Sequence, residues 1–163
     1  MIEKIYLDMD GVLCDFESRY EKLFGELPAY SREMKEWSAN WNVFVETEQF
    51  KTLDWNPGGK TLLKVITDAD IDYEILSSSG GKKHHEKVEA QKKHWLQTNG
   101  ILVKANIVPG RTNKAKFANS RAVLIDDTPD VIDAFNAAGG YGILHKNTPD
   151  TVKKLERILN VAK

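Results

Sequence analysis

Short runs of strand-forming residues recur five times along this chain, and helical patterns fill most of the intervals between them. That alternation constrains the fold more than any other feature. The runs are Ile5-Tyr6-Leu7, Tyr73-Glu74-Ile75-Leu76, Asn106-Ile107-Val108, Ala122-Val123-Leu124-Ile125 and Tyr141-Gly142-Ile143-Leu144. Helical spacing spans 61–67 ahead of the second run and 84–98 behind it. Two later helices carry start signals. Thr128 is placed to cap a helix with Pro129 at its first position and Asp130 in its first turn, and Gly139-Gly140 ends it. Thr148, Pro149 and Asp150 repeat the pattern, followed by Val152, Leu155, Leu159 and Ala162 at helical spacing. Strands alternating with helices predict an α/β fold: a Rossmann-like parallel sheet with helices on both faces.

The stretch from Phe16 to about Lys60 breaks that rhythm. It holds nine of the fifteen aromatic residues (Phe16, Tyr20, Phe24, Tyr30, Trp37, Trp41, Phe44, Phe50 and Trp55) and no convincing strand. We read it as a small helical cap inserted after the first strand, spanning 16–59 and closed by the turn Asn56-Pro57-Gly58-Gly59. Residues 1–15 and 60–163 then form the core of a single domain. Most of these aromatics are expected to pack on one another. A chain of 163 residues buries roughly 70% of its unfolded surface, enough for a core without disulfides. Its 23 basic and 24 acidic side chains leave a net charge of −1, which gives no broad electrostatic case for a nucleic-acid polymer or a membrane surface. One cysteine excludes an internal disulfide, no apolar run approaches a membrane span, and the N-terminus enters a strand pattern with no signal peptide. These features point to a cytoplasmic protein.

Three of the strand runs end in polar residues: Asp8-Met9-Asp10-Gly11, Ser77-Ser78-Ser79 and Asp126-Asp127. Ligands of an open parallel sheet bind beyond the carboxyl ends of its strands. If these three strands are neighbours, four carboxylates and a hydroxyl converge on one crevice. Crowded carboxylates resist full ionisation and call for a cation. An all-oxygen shell suits Mg²⁺, shared with a substrate phosphate. A balancing lysine is then expected, and Lys114 and Lys116 lie just upstream of the fourth strand. A single Asp after a strand is often only a helix cap, but three strand ends doing this together are harder to dismiss.

DMDGVLCDF (Asp8 to Phe16), ILSSS (Ile75 to Ser79) and LIDDTPD (Leu124 to Asp130) resemble the first, second and fourth motifs of the haloacid dehalogenase-like (HAD) phosphohydrolases. Within that superfamily the chain is most similar to the 5'(3')-deoxyribonucleotidases and their bacterial and phage relatives. Asp15-Phe16-Glu17, Pro57-Gly58, Lys93-His94-Trp95 and the segment AAGGYGILH carry that closer likeness. The resemblance implies a Mg²⁺-dependent phosphomonoesterase acting on a small molecule, in particular a nucleoside monophosphate, and it leaves room for a homodimer. It implies Asp8 as the nucleophile and Asp10 as the general acid and base. It also implies that the side chains of Asp8 and Asp126 and the main-chain carbonyl of Asp10 hold Mg²⁺, with Asp127 orienting waters. Ser77 would hydrogen-bond the phosphoryl group with Ser78 nearby, and Phe16 would contact the base. Lys114, which follows the turn-forming Asn113, fits the charge-neutralising lysine better than Lys116, which suits a shorter spacing.

Several look-alikes are set aside. Gly58-Gly59-Lys60-Thr61 imitates the tail of a P-loop but lacks its leading glycine and strand, and Asp8-Met9-Asp10-Gly11 has Leu13 where a calcium loop needs glycine. His84, His85 and His94, and the lysines from Lys82-Lys83 to Lys92-Lys93, are expected on a solvated helix face, and Cys14 is expected to pack. The same chemistry on a sugar phosphate is the nearest alternative. A two-component phosphoacceptor domain is disfavoured, because its acidic pair opens the chain and it has no place for the aromatic insertion.

Overall fold

The computed structural model describes residues 1–28 and 34–161. Tyr30 and Ala162, singled out above, lie outside the described residues. The elements run β1 (Lys4–Leu7), α1 (Phe16–Phe24), α2 (Met34–Glu46), a 3-10 helix (Gln49–Thr52), α3 (Gly59–Asp68), β2 (Asp72–Ser78) and α4 (His85–Thr98). There follow β3 (Ala105–Val108), a second 3-10 helix (Arg111–Phe117), β4 (Ala122–Asp126), α5 (Pro129–Ala137), β5 (Tyr141–Leu144) and α6 (Thr148–Val161). All strand pairs are parallel, in the order β3-β2-β1-β4-β5. All five expected strands are present, in an α/β fold of Rossmann-like type.

The two-residue period of the strands sorts the core into two layers. Ile5, Leu7, Ile75, Val123, Ile125 and Ile143 face one way, against Leu62 and Ile66 of α3, Val88 and Trp95 of α4, and Leu155 of α6. Leu76, Ala122 and Leu124 face the other way, against Val131, Ile132 and Phe135 of α5. β4 is buried along its whole length, as a strand covered on both faces requires.

The aromatic stretch folds as α1, α2 and the first 3-10 helix around a knot of rings. Phe16 stacks on Phe50 at 5.8 Å between centroids and meets Phe44 edge-on at 4.9 Å; Tyr20 contacts Phe24 and Trp37. The chain enters and leaves this segment through one short antiparallel pairing. The amide of Asp15 donates to the carbonyl of Asp54 (2.9 Å), and that of Asn56 donates to Leu13 (2.7 Å). The segment leans on α4: Gln91 donates to the carbonyl of Val45 (2.8 Å) and Trp95 to that of Leu53 (2.8 Å).

Two helix starts differ from expectation. Thr128 precedes α5, but its hydroxyl points to Asp127 (3.3 Å) rather than capping an amide. At α6 the cap is Asn147, whose Oδ1 accepts from the amide of Asp150 (2.9 Å). Thr148 is the first helical residue, and its hydroxyl donates to the carbonyl of Gly58 (2.9 Å), tying α6 to the loop before α3. Among the described residues no helix is long and apolar enough to cross a membrane.

Candidate active site

Strand register builds the site. Leu7 lies level with Ile75 on one side and Ile125 on the other. The next residues on β1 and β4, Asp8 and Asp126, therefore emerge together at the carboxyl edge, with Ser77 one step further along β2. The cleft above them has a volume of about 560 Å³ and reaches from Asp8, Asp10 and Lys114 to Trp37 and Trp41 of α2.

Asp8 and Asp126 are buried, at 5% and 0% exposure, and Lys114 lies between them. Its Nζ is 2.6 Å from Asp126 Oδ2 and 3.1 Å from Asp8 Oδ1. Lys116 is exposed and donates only to Asn113 Oδ1 (2.8 Å), so geometry separates the two lysines cleanly. Burial alone would lower the Lys114 ammonium, but the charges of Asp8 and Asp126 and their hydrogen bonds raise it instead. Burial, then the charge on Asp126, pushes the Asp8 carboxyl well above its usual range.

Carboxylate oxygens of Asp8, Asp126 and Asp127 lie within 4.8 Å of one another. Asp127 keeps one side open to solvent, yet partial desolvation of its carboxyl, then the charges on Asp126 and Asp10, push it up to about 7. One ammonium among three carboxylates leaves a deficit of positive charge, and an all-oxygen donor set of this kind fits a hard divalent cation such as Mg²⁺. Asp127 brings a carboxylate oxygen within that same distance, so it can ligate directly as well as orient waters. Gly11 makes that approach feasible. Its φ is +77°, and a Cβ there would overlap the Asp127 carboxylate.

Asp10 lies across the cleft, and its partner corrects a sequence expectation. Lys92, assigned above to a solvated face, is 1% exposed and directed inward. Its Nζ donates to Asp10 Oδ2 (3.0 Å), Ser77 Oγ (2.7 Å) and the carbonyl of Ser78 (2.8 Å), with the Phe50 ring centroid 5.0 Å away. The signal was helical phase. Lys92 falls four residues after Val88 and three before Trp95, on the buried face of α4. Two of the three histidines also depart from the solvated reading, while the third fits it. Half-buried His84 donates from Nε2 to Asn42 Oδ1 (2.6 Å), and His85 Nδ1 bonds Ser79 Oγ (2.7 Å); His94 is exposed. Cys14 packs as expected, and burial pushes its thiol well up.

Phe16 touches the cleft but is 5% exposed, with one face covered by Phe50. Trp41 is half-buried on the same wall and packs against the glycine turn after β2. A Cβ on Gly80 would come within 2.8 Å of its ring. Ser78 also lines the cleft, its hydroxyl accepting from the amide of Gly80 (3.1 Å). Arg111 stands at the mouth, 2.9 Å from Asp130.

No protein-family model matches the sequence, and no curated protein does. Solved structures share the fold at low sequence identity. A HAD-superfamily hydrolase from Ehrlichia chaffeensis superposes with a TM-score of 0.54 at 13% identity, covering 98% of this chain and 100% of that one. A HAD family hydrolase from Deinococcus radiodurans R1, solved with bound phosphate and sodium, has a TM-score of 0.54 at 15% identity, covering 96% and 88%. The L-2-haloacid dehalogenase of Xanthobacter autotrophicus, with chloropropionic acid covalently bound, reaches 0.57 at 12% identity, covering 87% and 76%.

Proposed function

We propose that the chain is a phosphomonoesterase that passes the phosphoryl group through Asp8 and prefers a nucleoside monophosphate, a deoxynucleotide in particular. One observation carries this reading: Asp8, Asp10, Ser77, Lys114 and Asp127 border one cleft at the ends of three adjacent strands, with Asp126 buried beneath it against Lys114 and an aromatic wall opposite.

A carboxylate oxygen of Asp8 attacks phosphorus in line while the bond to the leaving oxygen breaks. Asp10 gives that oxygen its proton, so an alcohol departs and an aspartyl-phosphate remains. Asp10, now ionised, takes a proton from water. The hydroxide displaces Asp8 from phosphorus and releases inorganic phosphate. Lys114 offsets charge on the transferring oxygens, and Ser77 donates a hydrogen bond to one of them. Asp8, Asp126 and the main-chain carbonyl of Asp10, with Asp127 beside them, would hold Mg²⁺, which when bound adds positive charge where negative charge accumulates.

The raised carboxyls make cation binding pH-dependent. A carboxyl raised in the folded chain holds a proton that the unfolded chain has released. The cation-free protein is therefore expected to lose stability as pH climbs from about 4 through about 7. Mg²⁺ must displace those protons, so millimolar Mg²⁺ should raise Tm more near pH 8 than near pH 5, by about several degrees. An equal rise at both would place the cation elsewhere.

Substrate choice is tested on the aromatic wall. Phe16→Ala removes the hub of the ring knot and should destabilise the fold by about 3–5 kcal/mol, lowering every activity together. Trp41→Ala should instead raise KM for a deoxynucleoside monophosphate by about 5- to 150-fold, the range for losing one base–aromatic stack. Turnover of a hexose phosphate, which has no flat face, should change little. The test is phosphate release from both substrates by wild type and variants. A wild type that prefers hexose phosphates would sink the nucleotide assignment and leave the phosphatase chemistry standing.

A further inference from the structure

Lys92 is the buried cation that the reaction scheme above leaves without a task. Its ammonium has three protons, and three acceptors meet them: Asp10 Oδ2, Ser77 Oγ and the carbonyl of Ser78. No proton is left over for a substrate. The consequences fall on the two side chains it holds.

An ammonium cannot accept a hydrogen bond, so Ser77 Oγ is the acceptor in their 2.7 Å contact. The hydroxyl proton of Ser77 must then point away from Lys92. Ser77 is 1% exposed and borders the cleft, so the cleft is the direction left to it. Asp10 is sorted in the same way. Its Oδ2 is taken by Lys92, while Oδ1 is buried and has no partner among the described residues. A buried, unpartnered carboxylate oxygen is costly, and it persists where a ligand completes it.

We propose that Lys92 is a positioning residue: it fixes the Ser77 hydroxyl as a donor toward the phosphoryl group and leaves Asp10 Oδ1 as the oxygen that exchanges a proton with the leaving group. The inference rests on the phosphomonoesterase reading and deepens it. Lys92 acts through Asp10 and Ser77, never on the substrate. Its contact with the Phe50 ring adds a tether to the aromatic segment, so the acid, the phosphoryl donor and the cleft wall share one anchor.

Lys92→Met keeps the unbranched chain and its apolar packing out to the ε position and removes the ammonium with its three donors. Wild type, Lys92→Met, Ser77→Ala and the double variant are assayed on a deoxynucleoside monophosphate and on p-nitrophenyl phosphate, with inorganic phosphate as a competitive inhibitor. Lys92→Met should lower kcat on the nucleotide by about 30- to 1000-fold. The loss on p-nitrophenyl phosphate should be smaller, because that leaving group needs little proton assistance. KM and the phosphate inhibition constant should move less than about threefold, since transition-state interactions alone are lost. Ser77→Ala should matter far less in the Lys92→Met background than in wild type, because the hydroxyl is already misdirected.

Three results would overturn the role. They are unchanged kcat, a phosphate inhibition constant rising in step with the loss in kcat/KM, which would make Lys92 a direct phosphate ligand, or equal Ser77→Ala factors in both backgrounds. If Lys92→Met does not fold, Lys92→Gln, uncharged and one bond shorter, takes its place in the same cycle with the same criteria. A wild type that releases phosphate from neither substrate overturns the hydrolase reading together with this one. An active wild type beside an unaffected Lys92 variant overturns this one alone.

Discussion

Asp8→Asn should reduce phosphate release by more than about a thousandfold while raising Tm. The amide keeps the size of the side chain but has no anionic oxygen to attack phosphorus. Hydrolysis of phosphate monoesters without a catalyst is among the slowest reactions known, so little activity remains by any other route. The stability gain follows from the same crowding. Burial and the Asp126 charge push the Asp8 carboxyl well up, which means that the folded chain disfavours its ionised form. A neutral amide removes that repulsion, although it also weakens the 3.1 Å contact with Lys114. A variant more stable than wild type and almost inactive is the signature of a site held under electrostatic strain for its chemistry. Activity above about a tenth of wild type would rule out attack by Asp8. Phosphate assays and thermal melts on the same preparation decide both halves.

Lys114→Ala is expected to lower kcat by two or more orders of magnitude, whereas Lys116→Ala should stay within about twofold. The contrast is geometric, because a single residue separates them and both carry the same charge. Lys114 lies 2.6 Å from Asp126 and 3.1 Å from Asp8, whereas Lys116 reaches only the side chain of Asn113. Removing Lys114 also leaves buried carboxylates unpaired, which typically costs about 3–5 kcal/mol in stability. The comparison therefore belongs at saturating Mg²⁺, with the folded fraction measured for each variant. Equal losses in the two variants would remove Lys114 from the chemistry.

Much of the fold was legible because each strand announces itself locally. Ala122-Val123-Leu124-Ile125 has no polar interruption and could only be a strand covered on both faces, and the acidic pair that follows it has no role in a core. Lys92 was obscured by its neighbours. A run containing Lys87, Lys92 and Lys93 looks solvated as a composition, and only the helical phase set by Val88 and Trp95 turns one of them inward. Thr148 was read as a cap because threonine before proline usually is one, while it is Asn147, one position earlier, whose Oδ1 accepts from the amide of Asp150. Phe16 was a fair candidate for ligand contact by its place in the chain. What its sequence position could not reveal is that Phe50, thirty-four residues away, lies flat against it.

The segment that carries the aromatic wall enters and leaves through the pairing of Cys14 with Trp55, closed by backbone hydrogen bonds from Asp15 to Asp54 and from Asn56 to Leu13. Its two ends are thus adjacent, while the chain between them also packs on α4 and shares the core of the sheet. The intervening chain can lengthen where it does not carry those contacts, since closing a longer loop raises the entropic cost only slowly. A change in length is absorbed at the seam, whereas exchange of the packed rings would be felt by Lys92 and by the strands beneath.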